Sequence, residues 1–133
     1  MAMLQSTVLV EQDHDHNSIY MRWQRAVDIG DIQLAFRVVS DLLEQAQQPM
    51  HVVVDLLNHP NFPLLTTINC VVSGPLTHHH AGEWLVVGGG NQARIFAKTL
   101  TDRTALSSIH WFATEAQAEA HFDHLSEAAL PSR

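Results

Sequence analysis

Two short stretches, "MHVVVDLL" at 50–57 and "EWLVVG" at 83–88, contain apolar residues at consecutive positions and are rich in β-branched side chains. Successive side chains of a strand point to opposite faces, so a run without alternation describes a strand covered on both sides. That is the situation of an inner strand in a parallel sheet flanked by crossover helices. The intervening segments have the period such helices need. Ile32, Ala35, Phe36, Val39, Leu42, Leu43 and Ala46 recur at the three-and-four spacing of one helical face, with Asp28 or Asp31 placed to cap it and Pro49 to stop it. "LLTTINCVV" predicts a short helix capped by Asn61 and ended by "SGP", and "NQARIFAKTLTDR" predicts another whose inward face is Ala93, Phe96, Ala97 and Leu100. Thr114 and Gln117 stand at capping-box spacing ahead of a final helix with Ala118, Phe122 and Leu125 on its core face.

At the N-terminal end, "STVLVEQ" and "SIYMRWQ" are β-prone runs on either side of the turn-forming "DHDHN", which predicts an antiparallel hairpin over 7–12 and 18–24. "SSIHWFA" supplies a last strand. The order is β-β-α-β-α-β-α-β-α, an α/β chain with a mixed sheet, and 133 residues support it as a single domain with its core at about 7–128.

Charge narrows the partners. With 14 acidic against 7 basic residues and a formal net charge of -7, the surface repels nucleic acid and anionic membrane, because both associations begin with Lys and Arg neutralising phosphate. No stretch approaches the roughly twenty apolar residues of a membrane span, and "MAMLQSTVLVEQ" has no basic residue before its short apolar run, so the expected location is cytoplasmic without membrane insertion. The single cysteine, Cys70, has no partner for an internal disulfide and is expected as an inert core residue.

Gly88, Gly90 and Ala93 in "EWLVVGGGNQARIFAK" match the outline G-x-G-x-x-A of a dinucleotide fingerprint. The outline lacks its context. A dinucleotide fold places this turn after its first strand and an acidic residue about twenty positions on, at the end of the next strand. Here the turn comes late and that region is "SSIHWFA", with Glu115 beyond it at a helix start. No cofactor is therefore expected, and the glycines are expected to serve a tight strand-to-helix turn that uses φ > 0. Exposed N–H groups at a glycine-rich helix start leave an anion site as the other reading.

Ten histidines invite a metal hypothesis, but none stands in an H-E-x-x-H or finger spacing. His78, His79 and His80 are consecutive, so their rings are not expected to converge on one ion; His121 and His124 share a helix face, and His14 and His16 lie in a turn. The expectation is solvated histidines and no metal. Nor does a catalytic set emerge: G-x-S-x-G is absent, Ser73 follows a helix, Asp13 and Asp15 belong to a turn, and Asp102 and Glu115 to helix ends.

The succession "VVVDL", "LNHPNFP", "LLTTINCVV", "WLVVGGGNQARIFAK", "IHWFA" and "TEAQAEAHF" resembles the STAS domain of bacterial anti-sigma-factor antagonists, and in particular the divergent STAS-like (SpoIIAA-like) bacterial proteins, over about residues 19–125. The resemblance implies a non-enzymatic regulatory or scaffolding protein that acts by binding another protein, with a homodimer among the forms it allows. Its phosphorylatable serine, in a D-S-S-G-like motif, has no counterpart: the corresponding positions are Pro63, Leu64 and Leu65, with Thr66 and Thr67 just beyond. The resemblance thus implies a binding surface at Asp55, Asn58, Phe62, Leu64, Thr66 and Thr67 without the phosphate switch. The alternative is a small-molecule or anion site at Gly88, Gly89, Gly90 and Asn91.

Overall fold

The computed structural model describes residues 7–104 and 108–129. Its elements follow the order β1 (Val8–Asp13), β2 (Ser18–Trp23), α1 (Ile29–Gln45), β3 (Met50–Asp55), α2 (Leu64–Val72), a 3-10 turn (Pro75–Thr77), β4 (Ala81–Val87), α3 (Asn91–Thr104), β5 (Ile109–Phe112) and α4 (Glu115–Ala129). The five strands form one sheet in chain order; β1 and β2 are an antiparallel hairpin, and β2 through β5 run parallel.

Because each crossover steps the same way along the sheet, right-handed connection puts α1, α2 and α3 on one face, and α4, which follows the last strand, covers the other. The side chains bear this out. Ile19, Met21, Trp23, Val52, Val54, Trp84 and Val86 point into a core with Ile32, Phe36 and Leu43 of α1, Ile68 and Val71 of α2, and Phe96 and Leu100 of α3. Their alternates Val53, Leu85 and Val87 pack instead against Ala118 and Phe122 of α4. The unbroken apolar runs of β3 and β4 are explained by this double cover. Burial of each large apolar side chain contributes about 1.5–3 kcal/mol, so the three-helix face, with most of them, carries the greater part of the stability.

All four inward residues expected for α3 are buried, and the α4 capping box forms: Gln117 N–H donates to Thr114 Oγ1 at 3.3 Å and Thr114 N–H to Gln117 Oε1 at 3.3 Å. Other caps differ from expectation. Asp28 occupies the N-cap position of α1 without a side-chain bond, and Asp31 Oδ2 instead accepts from Thr7 N–H and Oγ1 at 2.8 and 2.7 Å, tying α1 to the start of β1. Asn61 does not cap α2; Pro63 holds that position, and Asn61 N–H donates to the Arg25 carbonyl. Cys70 is only half-buried at the margin of the core. Among the described residues no helix is long and apolar enough to cross a membrane.

Candidate functional site

Every helix after a parallel strand begins at the carboxyl end of the sheet, the edge where open α/β folds bind their ligands. Here the end of β3 and the end of β4 meet: Leu56 N–H donates to the Val87 carbonyl at 2.8 Å. Leu56, His59, Pro60 and Phe62 from one side and Gly90, Asn91, Gln92 and Ala93 from the other enclose a hollow of about 200 Å³. The two stretches that sequence proposed as separate sites are the two walls of this one cleft.

The residues expected to bind do not all face it. Asp55 is buried, accepting from Arg22 Nε at 3.1 Å and Leu57 N–H at 3.0 Å. Asn58 Nδ2 donates to the Trp23 carbonyl at 3.1 Å. Both shape the loop from beneath. Phe62 anchors it, meeting Trp23 edge-on at 5.0 Å and Phe96 at 5.6 Å, and its carbonyl accepts from Gln92 Nε2 at 3.2 Å, a bond that joins the loop to α3. Leu64 is half-buried, Thr66 exposed and Thr67 fully buried with no partner for Oγ1. A kinase has no access to Thr67 in the fold.

The glycines work differently from the turn expected for them. No glycine among the described residues has positive φ. Gly88 is required by proximity: a Cβ there would stand 2.9 Å from Ala93 Cβ, 3.2 Å from the Leu56 carbonyl oxygen and 3.3 Å from Leu56 Cβ. Gly90 lies beside the His59 ring, and its carbonyl accepts from Arg94 N–H to open α3, which leaves the N–H groups of Asn91, Gln92 and Ala93 at the positive end of a helix dipole. His59, not Gly90, adopts the left-handed conformation, with φ 53. Such a backbone is uncommon for a non-glycine residue and costs on the order of 1 kcal/mol. His59 and Pro60 were missed by sequence reasoning; "NHPN" carries a turn signal but nothing that aims the imidazole across at Gly90.

The helices that begin at this edge carry exposed apolar side chains. Leu34 of α1, Leu65 of α2 and Ile95 of α3 are 52, 66 and 46% exposed, each within the first half of its helix. Leu65, not Leu64, presents the open leucine of α2.

On the opposite sheet face, the part beside the hairpin is polar. An open groove of about 500 Å³ between the β1–β2 hairpin and α4 is lined by Glu11, Asp13, Asp15, Glu115 and Glu119 around Tyr20 and Arg22. The hydrogen bond from His16 holds the Asp13 carboxyl below the ordinary range, while burial, with Asp13, Glu115 and Glu119 adding to it, pushes the Tyr20 phenol up to about 12. Asp13 Oδ1 also accepts from Asp15 N–H at 3.1 Å, the backbone role expected of turn aspartates. Further along, Glu83, His110 and His121 face one another, and burial pushes the nearby His51 imidazole down. His121, expected on an exposed helix face with His124, is turned to the sheet, and the rings of His78, His79 and His80 do converge, with one ligand atom of each within 4.8 Å of the others.

Comparison with protein-family models, curated proteins and solved structures found no match to this chain.

Proposed function

We propose that this chain is a non-enzymatic, STAS-like regulatory or scaffolding domain that binds a protein partner at the carboxyl edge of its sheet, through the 55–62 loop, the first turn of α2 and the start of α3. The observation that carries this reading is the cleft joining the two segments, with Leu65 and Ile95 exposed on the two helices that start beside it. A hollow of about 200 Å³ falls below the roughly 300–1,000 Å³ of sites for drug-sized ligands and suits one inserted side chain. A small hollow of mixed apolar and polar lining, next to helices with exposed apolar side chains, suits a docking surface. The order of strands and crossover helices and the surface at the loop after β3 support the STAS-like character. A second copy of the chain is one partner this reading allows, since a self-complementary face gives a two-fold contact.

A photo-crosslinking amino acid at position 65, with a control at Glu119 on the opposite face, tests the proposal in native cells. A discrete adduct from position 65 alone is the expected result, at twice the chain mass if the partner is the chain itself. Equal labelling from both positions, or none from 65, removes the reading.

The N–H groups at the start of α3 favour a second reading, a small anion in the same cleft. Titration with inorganic phosphate then moves the amide resonances of Asn91, Gln92 and Ala93 saturably; unchanged resonances exclude it.

A further inference from the structure

Three residues from three elements converge beneath α4. Glu83 stands on β4, His110 on β5 and His121 on α4; His110 Nε2 lies 2.9 Å and His121 Nε2 2.7 Å from the same carboxylate oxygen, Glu83 Oε1, and the two imidazole rings are 4.6 Å apart. We propose that Glu83, His110 and His121 bind a divalent transition-metal ion of the zinc class, through Glu83 Oε1 and Nε2 of both histidines.

The donor set is the first argument. Two neutral imidazoles and one carboxylate are a recurrent ligand set for zinc and for non-haem iron, and three protein ligands leave a further coordination position open. Geometry is the second. Metal–ligand bonds of about 2.0–2.2 Å place neighbouring ligand atoms about 3.0–3.5 Å apart, depending on the coordination angle. The separations of 2.7 and 2.9 Å to Glu83 Oε1 lie a few tenths of an ångström from that range, and one ligand atom of each of the three residues lies within 4.8 Å of the others.

An ordinary pair of histidine–carboxylate hydrogen bonds accounts for only half of the arrangement. His121 Nε2 is hydrogen-bonded to Glu83 Oε1, but His110 Nε2, though 2.9 Å from the same oxygen, is misaligned for a hydrogen bond and is buried without any partner. An orphaned buried nitrogen is costly unless something else satisfies it. An ion between the three groups does so through the lone pair, and at that point the crowding of two imidazoles on one oxygen becomes coordination.

The surroundings hold Glu83 in place. Its N–H donates to His51 Nδ1 at 3.0 Å, and the His51 ring can come so close only because residue 82 is glycine: a Cβ on Gly82 would lie 2.7 Å from Nδ1. The β3–β4 register also slips between Met50 and Val52, opposite this point, and such irregularities in a ladder serve to re-aim a side chain. Second-layer support of this kind orients metal ligands and tunes their affinity. In the His78–His79–His80 cluster His78 is already committed at both ring nitrogens: Nε2 is bonded to Glu44 and Nδ1 accepts from His80 N–H.

Binding at this site ties α4 to β4 and β5. The helix is otherwise held to the sheet by the small apolar contact of Ala118 and Phe122, with Leu125 beside it.

The test uses the full chain without an affinity tag of histidines, stripped with EDTA and titrated with Zn²⁺ and Co²⁺. The expected result is one equivalent per chain, visible cobalt absorption of a nitrogen–oxygen site, a melting temperature raised by several degrees and zinc-dependent shifts of the His110 and His121 imidazole nitrogens in long-range ¹H–¹⁵N spectra of the unaltered protein. Glu83→Gln and His121→Ala are expected to lose the equivalent, His51→Ala to weaken it about 10–100-fold, and His79→Ala to leave it unchanged, with far-UV circular dichroism confirming that each metal-free variant is folded. Imidazole shifts confined to residues 78–80, loss of the equivalent in His79→Ala, or no binding at about 100 times the usual micromolar range of exchangeable sites overturns the proposal.

Discussion

Two neighbouring glycines, Gly88 and Gly89, should respond to the same substitution with opposite sign. Neither has positive φ, so backbone conformation alone predicts that alanine is tolerated at both. Space predicts otherwise. At Gly88 the added Cβ meets Ala93 Cβ at 2.9 Å and Leu56 at 3.2 and 3.3 Å, and both neighbours are themselves 3% exposed or less, so neither can swing aside. Overpacking of this kind costs about 1–3 kcal/mol. At Gly89 the nearest atom is the Ala113 carbonyl oxygen at 3.6 Å, an ordinary contact. There the substitution mainly restricts the unfolded chain and stabilises the fold by about 0.4–1 kcal/mol. The two variants should therefore differ by about 1.5–4 kcal/mol, which for a chain of this size separates their melting temperatures by roughly 5–15 °C. Urea denaturation followed by tryptophan fluorescence measures the difference, since Trp23 and Trp84 are both fully buried. Gly88→Ala should also force the start of α3 away from Leu56, widening the cleft and weakening the crosslink from position 65. Equal losses at both positions would refute the packing argument and return the glycines to a conformational role, as would a Gly88→Ala protein as stable as Gly89→Ala.

Other expectations follow from single groups. Tyr20 is the only tyrosine, so ultraviolet titration isolates its phenol, whose pKa is raised to about 12; the stability this represents is fully present below pH 10, the unfolded value, and is lost as pH rises from 10 through 12, whereas an ionisation midpoint near 10 in the folded protein would contradict the assigned burial. Thr67→Val removes a buried hydroxyl with no partner at constant shape, so denaturation should show a change between neutral and about 1 kcal/mol more stable; a loss beyond 1 kcal/mol would mean that Oγ1 has a partner. Mass spectrometry of protein from its native cells should find no stoichiometric phosphate on Thr67, and phosphate there would require an open form of α2. Addition of NAD, NADP or FAD should leave the melting temperature unchanged, and a saturable rise of several degrees with any of them would restore the dinucleotide reading of Gly88, Gly90 and Ala93.

The order of all nine elements was legible in the sequence because periodicity is a local property. The spacing of Ala93, Phe96, Ala97 and Leu100 specifies which side of α3 is buried whatever it packs against, and the unbroken apolar runs in β3 and β4 specify two covered faces. The Thr114–Gln117 cap could be read for the same reason, since its partners are three residues apart. The caps of α1 and α2 could not. Asp31 is drawn to Thr7, 24 residues away, and that competition exists only once β1 lies beside α1.

The site belongs to the same class of facts. Sequence marked the 55–62 loop and the glycine turn as separate candidates, and only the β3–β4 pairing makes them the walls of one cleft. The resemblance placed Asp55, Asn58 and Phe62 on a binding surface; in the folded chain Asp55 is bonded to Arg22 and Asn58 to the Trp23 carbonyl, while Phe62 both lines the cleft and packs in the aromatic cluster. Glu83 and His121 are 38 residues apart, with no motif to join them, and His110 sits alone on its strand. Residue type and local period decide what each segment becomes, because neighbours in sequence share one backbone. Which side chains meet is decided by strand order and by the face on which each helix lies, and those are set by burial of the whole core at once.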